Sequence, residues 1–192
     1  MIRGRFPSEE EQRALYRQAL EAFAPRSVTL RTLDAGGDKP LPYFPVREDN
    51  PMLGWRGIRM MLDHPDLFLS QLRAALRASA GLGNLNLLLP VVSGVAEVEE
   101  AKVLLDRAYS ALLEEGVQVQ QPLLGIMIEV PSAIYQVREL AQLVDFLSVG
   151  TNDLTQYLLA ADRGNPQVAR LLDPLHPAVL RALVHLVEAA HG

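Results

Sequence analysis

The chain has 192 residues, 49% of them hydrophobic and 21% charged, with a formal net charge of -5 and no cysteine. That length supports one soluble globular domain, and an acidic balance without basic runs argues against nucleic acid or an anionic membrane as the main partner. Disulfides, thiolate metal sites and thiol nucleophiles are excluded, and no apolar stretch reaches membrane-spanning length, so a cytoplasmic setting is expected.

In chain order, Ser8 with Glu11 three residues later has the form of a capping box and predicts a helix over about 9–23. The β-branched stretch Ser27 to Thr32 predicts a strand, followed by a Gly- and Pro-rich loop from Gly36 to Asp49 that is a candidate functional loop. Asn50-Pro51 opens a helix through Trp55, Ile58 and Met61, and His64-Pro65 interrupts it before a further helix carrying Leu67, Leu69, Leu72 and Leu76. Leu85 to Val92 is a second strand, apolar throughout as parallel strands covered on both faces are. A charged amphipathic helix then fills about 96–115. Strands near 124–129 and 145–149 flank a helix over about 132–143, and a last helix occupies about 176–190.

Strand and helix alternate, which predicts a parallel sheet of right-handed βα units. Only about four strands are visible, whereas a closed (βα)8 barrel takes about 250 residues. A barrel reading therefore makes the chain a piece of a TIM-type α/β barrel, and an open four-stranded α/β layer is the structural alternative.

Two strands end on polar groups. Leu124 to Ile128 delivers Glu129 before Pro131 turns the chain, and Phe146 to Val149, a buried strand by its composition, releases through Gly150 into Thr151-Asn152-Asp153. Glu129 and Asp153 suit Mg²⁺, which takes hard oxygen ligands and one or two carboxylates; Asp153 in the first turn of a helix that Asn152 caps is the structural alternative. Arg31, inside an otherwise apolar strand, calls for an anionic partner, either a ligand or Asp34. Arg56, after the only tryptophan, fits either a ligand site or a surface helix. Arg163 suits a carboxylate or phosphate, or the end of a helix dipole. Arginine occurs 16 times and lysine only at Lys39 and Lys102, so position rather than residue type must discriminate. None of His64, His176, His185 and His191 sits in a metal-ligand spacing, and His64 and His176, each before proline, suit hydrogen bonding at helix starts. No dinucleotide fingerprint, Walker loop or nucleophile elbow occurs.

Four segments, Arg31-Thr-Leu-Asp-Ala-Gly-Gly-Asp-Lys39, Asn50-Pro-Met-Leu-Gly-Trp-Arg-Gly-Ile-Arg59, Gly125-Ile-Met-Ile-Glu-Val-Pro131 and Val149-Gly-Thr-Asn-Asp-Leu-Thr-Gln-Tyr157, resemble in order and spacing the motifs of enzyme I of the phosphoenolpyruvate phosphotransferase system. Gly57, Leu62 to Phe68 and Leu175 to Leu180 resemble the nitrogen-related branch. The resemblance implies a phosphoenolpyruvate-binding (βα)8 barrel in which Glu129 and Asp153 are Mg²⁺ ligands. It further implies that Arg31, Asn152, Asp153 and Arg163 bind substrate and that Arg56 lies near the transferred phosphate. The implied reaction is Mg²⁺-dependent phosphoryl transfer from phosphoenolpyruvate to a histidine and on to a small carrier protein, in a homodimer.

The family's first barrel strands are expected upstream of Met1, and its Cys-Gly-Glu motif beyond Gly192. With neither that cysteine nor the phosphohistidine domain, residues 1–192 are expected to be a partial barrel domain that binds but does not turn over. A fragment of a pyruvate phosphate dikinase or phosphoenolpyruvate synthase barrel is one rival reading. A non-catalytic dimerisation or interaction module is the other.

Overall fold

A computed structural model describes residues 5–36 and 48–191. The chain starts with α1 (Glu9–Phe23), whose Ser8 and Glu11 form the capping box: Glu11 N–H donates to Ser8 Oγ and Ser8 N–H to Glu11 Oε2. Strands β1 (Val28–Arg31), β2 (Leu85–Leu89), β3 (Leu123–Ile128) and β4 (Phe146–Val149) then alternate with α2 (Ile58–Asp63), α3 (Pro65–Ser79), α4 (Val95–Glu114), α5 (Pro131–Ile134) and α6 (Val137–Ala141). Two more helices, α7 (Thr151–Leu159) and α8 (Pro177–His191), follow β4.

All neighbouring strands are parallel, and the sheet order is β1-β2-β3-β4. The register sets Arg31 beside Leu88, Leu89 beside Ile126 and Ile128 beside Val149, so the carboxyl ends line up along one rim. An order that never reverses, joined by right-handed crossovers, keeps the helices on one side of the sheet. Consistent with this, the helix layer runs α1, α3, α4, α6, α8, each packed on the next. This is the winding of a barrel sector; a doubly wound sheet needs a reversal of strand order.

The core lies between sheet and helices, where Leu87, Leu89, Ile126 and Ile128 meet Phe68, Leu72, Leu76 and Leu112. The other face of the sheet exposes Thr29, Arg31 and Leu123. Gly125 lies under the Phe146 ring, which occupies the space a Cβ would need.

Three expectations change. Asn50-Pro51 opens only a 3₁₀ turn, Pro51–Leu53, because Gly54 and Gly57 interrupt the chain before α2. The helix between β3 and β4 breaks into two short pieces, α5 and α6. β4 is half-buried rather than buried, since as the last strand it has a neighbour on one side only among the described residues. Most of the candidate loop between Gly36 and Asp49, with Lys39, lies outside the described residues.

The one-sided core predicts unequal penalties along the sheet. Leu87→Ala, at a fully buried position, should cost about 2–5 kcal/mol in urea denaturation of the chain. Leu123→Ala, at a side chain 53% exposed, should cost under about 1 kcal/mol. Equal losses would show that the second face is covered in solution.

Candidate active site at the carboxyl ends of the strands

The functional candidates gather at the carboxyl rim. Asp34 follows β1, Val91 follows β2, Glu129 is the first residue after β3, and Asp153 lies in the first turn of α7 after β4. Arg56 comes from the Gly54–Gly57 bend and penetrates this group with its side chain only 2% exposed. Its Nε and Nη2 donate to Asp34 Oδ1 (3.1 Å) and Oδ2 (2.8 Å), and its Nη1 lies 3.0 Å from Asp153 Oδ2. Burial works against that charge, but the bonds to Asp34 and the fields of Asp34 and Asp153 outweigh it and raise the guanidinium pKa.

Asp153 Oδ1 accepts from Arg163 Nη1 at 2.7 Å, so each of its oxygens meets an arginine. The Arg163 main chain is fixed by its N–H, which donates to the buried Gln156 Oε1 (3.0 Å), while its side chain remains 30% exposed. Tyr157, one turn further along α7, donates its hydroxyl to the Met52 carbonyl. Burial raises its pKa, with Arg56 pulling the other way.

Glu129 is buried, and its Oε1 accepts the Val91 N–H at 2.7 Å. Burial raises its pKa, the Val91 N–H lowers it, and Asp153 and Asp34 raise it again. The local backbone is built around this carboxyl. Val91 holds φ +60°, a genuine outlier for a β-branched residue, and that conformation is the one in which its N–H reaches Glu129. A Cβ at Gly150 would lie 2.5 Å from Glu129 Oε2, and one at Gly57 would lie 2.6 Å from a Val91 methyl, so neither position has room for a side chain. A cleft of about 550 Å³ opens beside the cluster, walled by Met52, Arg59, Val91, Val130 and Tyr157 among others.

Of the residues singled out from sequence, Arg56, Glu129, Asp153 and Arg163 come together. Arg31 does not need a buried partner: its side chain is 40% exposed at the end of β1 and stands 3.9 Å from Asp34. Asn152 is exposed and does not cap α7, whose first residue is Thr151 and whose cap position is Gly150. His176 Nδ1 accepts from Ala178 N–H at a helix start as expected, whereas His64 makes no side-chain cap and its ring lies 5.1 Å from that of Trp55. Sequence reasoning underrated Asp34, which pairs mainly with Arg56, and missed Val91 altogether; only the placement of Asp34 within the first motif hinted at a role.

The whole chain, residues 1–192, matches the family described as PEP-utilising enzyme, PEP-binding domain. The chain belongs to this family. It is 55% identical over 195 residues to a protein named phosphoenolpyruvate-dependent phosphotransferase system from Escherichia coli (strain K12), covering 100% of this chain and 26% of that protein. It is 47% identical to a phosphoenolpyruvate-protein phosphotransferase from Staphylococcus carnosus (strain TM300), covering 100% of this chain and 34% of that one. The chain thus spans about a quarter to a third of the length of these curated relatives. Among solved structures, a citrate lyase from Burkholderia xenovorans LB400 is similar over 66% of this chain and 37% of its own, with 27% identity and a TM-score of 0.47.

Two predictions follow from the geometry. Arg56→Met takes the buried partner from Asp34 and one of two arginines from Asp153, and should cost about 3–5 kcal/mol of unfolding free energy; a loss below 1 kcal/mol, roughly the value of an exposed pair, would show that the clamp opens in solution. For Glu129, a carboxyl whose pKa rises on folding contributes stability that is present below the ordinary glutamate range and lost as pH climbs through the raised value. In metal-free buffer Glu129→Gln should therefore stabilise the fold relative to the parent near neutral pH and lose that advantage in acid, measured by denaturation at both ends of the range.

Proposed function

We propose that this chain is the phosphoenolpyruvate-binding part of a phosphoenolpyruvate-protein phosphotransferase. The observation that carries the reading is the strand-end cluster of Glu129, Arg56, Asp153 and Arg163 on a sheet wound as a barrel sector, in a chain that matches the family throughout. In the whole protein the reaction is phosphoryl transfer from phosphoenolpyruvate to a histidine and then to a small carrier protein, in a cytoplasmic homodimer. Residues 1–192 are one partial domain of a (βα)8 barrel, and the Gly57, Leu62 to Phe68 and Leu175 to Leu180 details favour the nitrogen-related branch.

The donor set fits Mg²⁺. Two carboxylates suffice for an ion that fills its other positions with water and substrate oxygens, and burial beside Asp153 and Asp34 makes Glu129 a site where added positive charge is favourable. Glu129 and Asp153 would hold the ion, and bound there it supplies divalent charge to the phosphate and carboxylate oxygens of the substrate. The chain's own groups do the rest. Arg163 and Arg31, both part-exposed at the rim, present planar forks to the substrate's phosphate and carboxylate. Arg56, held by Asp34, keeps a fixed positive charge near the transferred phosphoryl group without reorganising. Asn152, exposed in the first turn of α7, adds an amide donor.

Relatives named phosphotransferases at 55% and 47% identity favour this reading over a dikinase-type barrel. A buried arginine tied to two carboxylates, costly for a mere interaction module, favours a ligand site. Calorimetry of Glu129→Gln and Asp153→Asn in the intact protein tests it: each should weaken Mg²⁺ binding at least about tenfold, the loss of roughly one charged contact. Unchanged affinity in both variants would end the metal assignment.

A further inference from the structure

The two arginines on Asp153 are not equivalent. Arg56 is 2% exposed and makes a two-point pair with the buried Asp34 as well as reaching Asp153, so withdrawing it would break three short contacts at once. Arg163 is 30% exposed, its backbone is anchored by Gln156, and its Nη1 donates a 2.7 Å bond to Asp153 Oδ1. If one partner of Asp153 exchanges, it is Arg163.

We propose that Arg163 is a competing counter-ion for Asp153, and that this competition couples cation binding to anion binding at the site. The proposal rests on the reading of Glu129 and Asp153 as divalent-cation ligands. A cation approaching Asp153 Oδ1 meets a guanidinium of the same sign bonded to the same oxygen, and their mutual repulsion in a poorly solvated site weakens the hold of each. Cation entry therefore turns Arg163 away from Asp153 and towards the rim, where its fork meets the phosphate or carboxylate of an anion. In the other direction, an anion that draws Arg163 away leaves Asp153 Oδ1 open to the cation. Such coupling is reciprocal by thermodynamic necessity, and values of about 5–150-fold are common.

The test is calorimetric titration of the intact protein with Mg²⁺, with and without phosphoglycolate, a non-transferable ligand carrying one phosphate and one carboxylate. It uses the parent, Arg163→Gln and Arg163→Lys at matched ionic strength. Removing the competitor should tighten binding of Mg²⁺ alone by about fivefold or more in Arg163→Gln. The same variant should weaken phosphoglycolate alone and reduce the coupling factor between the two ligands. Arg163→Lys keeps the competing charge and should leave the affinity for Mg²⁺ alone near that of the parent. A purely structural role for Arg163 predicts no tightening. Mg²⁺ affinity that is unchanged or weaker in Arg163→Gln overturns the competition while leaving the metal site standing. Absence of Mg²⁺ binding in the parent overturns both.

Discussion

The rim of the sheet depends on one buried guanidinium. Removing a charge from water costs several kcal/mol, and the chain recovers that cost only because Arg56 meets carboxylates on two sides at good geometry. Those carboxylates come from opposite ends of the sheet, Asp34 after β1 and Asp153 after β4, so the clamp ties the first strand to the last across the two between them. Pairing of this kind fixes distances that strand hydrogen bonding alone leaves loose, because no ladder runs across the loops at the rim.

The clamp also sets the electrostatics of its neighbour. Asp34 lies against Arg56, with Arg31 at 3.9 Å, and Asp153 lies against Arg56 and Arg163. At Glu129 burial and the fields of the two aspartates push the pKa upward. A backbone N–H compensates, with the field of Arg56 beside it, and that N–H is supplied by a valine in a conformation valines avoid. A strained backbone aimed at a buried acid is the arrangement expected where rigidity of one side chain matters more than local stability.

Much of this was legible in the sequence, and what was not has specific causes. The strands and long helices followed from periodicity, and Glu129 and Asp153 stood out as polar groups that end apolar runs. Arg31 misled because it sits in a strand, and a strand residue is buried only if the face it points to is covered; with helices on one side of the sheet, it is not. Arg56 was ambiguous for the opposite reason. It follows Trp55 in a segment with the look of a helix, and only the break at Gly54 and Gly57 turns the side chain into the rim. The role of Val91 had no signal at all, since a positive φ at valine leaves no mark on the chain; the adjoining Gly57, which has no room for a Cβ, is its nearest trace.

The arginine-rich composition sharpens what decides function here. With 16 arginines and two lysines, residue type carries almost no information, yet the arginines at the rim divide into distinct roles. Burial makes the division: at 2% exposure a guanidinium must keep its partners, because water cannot replace them, whereas at 30% it can trade one anion for another at little desolvation cost. A site that must hold its shape and still exchange counter-ions needs both kinds. One lies in the interior of the cluster and the other on the anchored loop after α7, and the same carboxylate, Asp153, meets the buried one through Oδ2 and the part-exposed one through Oδ1.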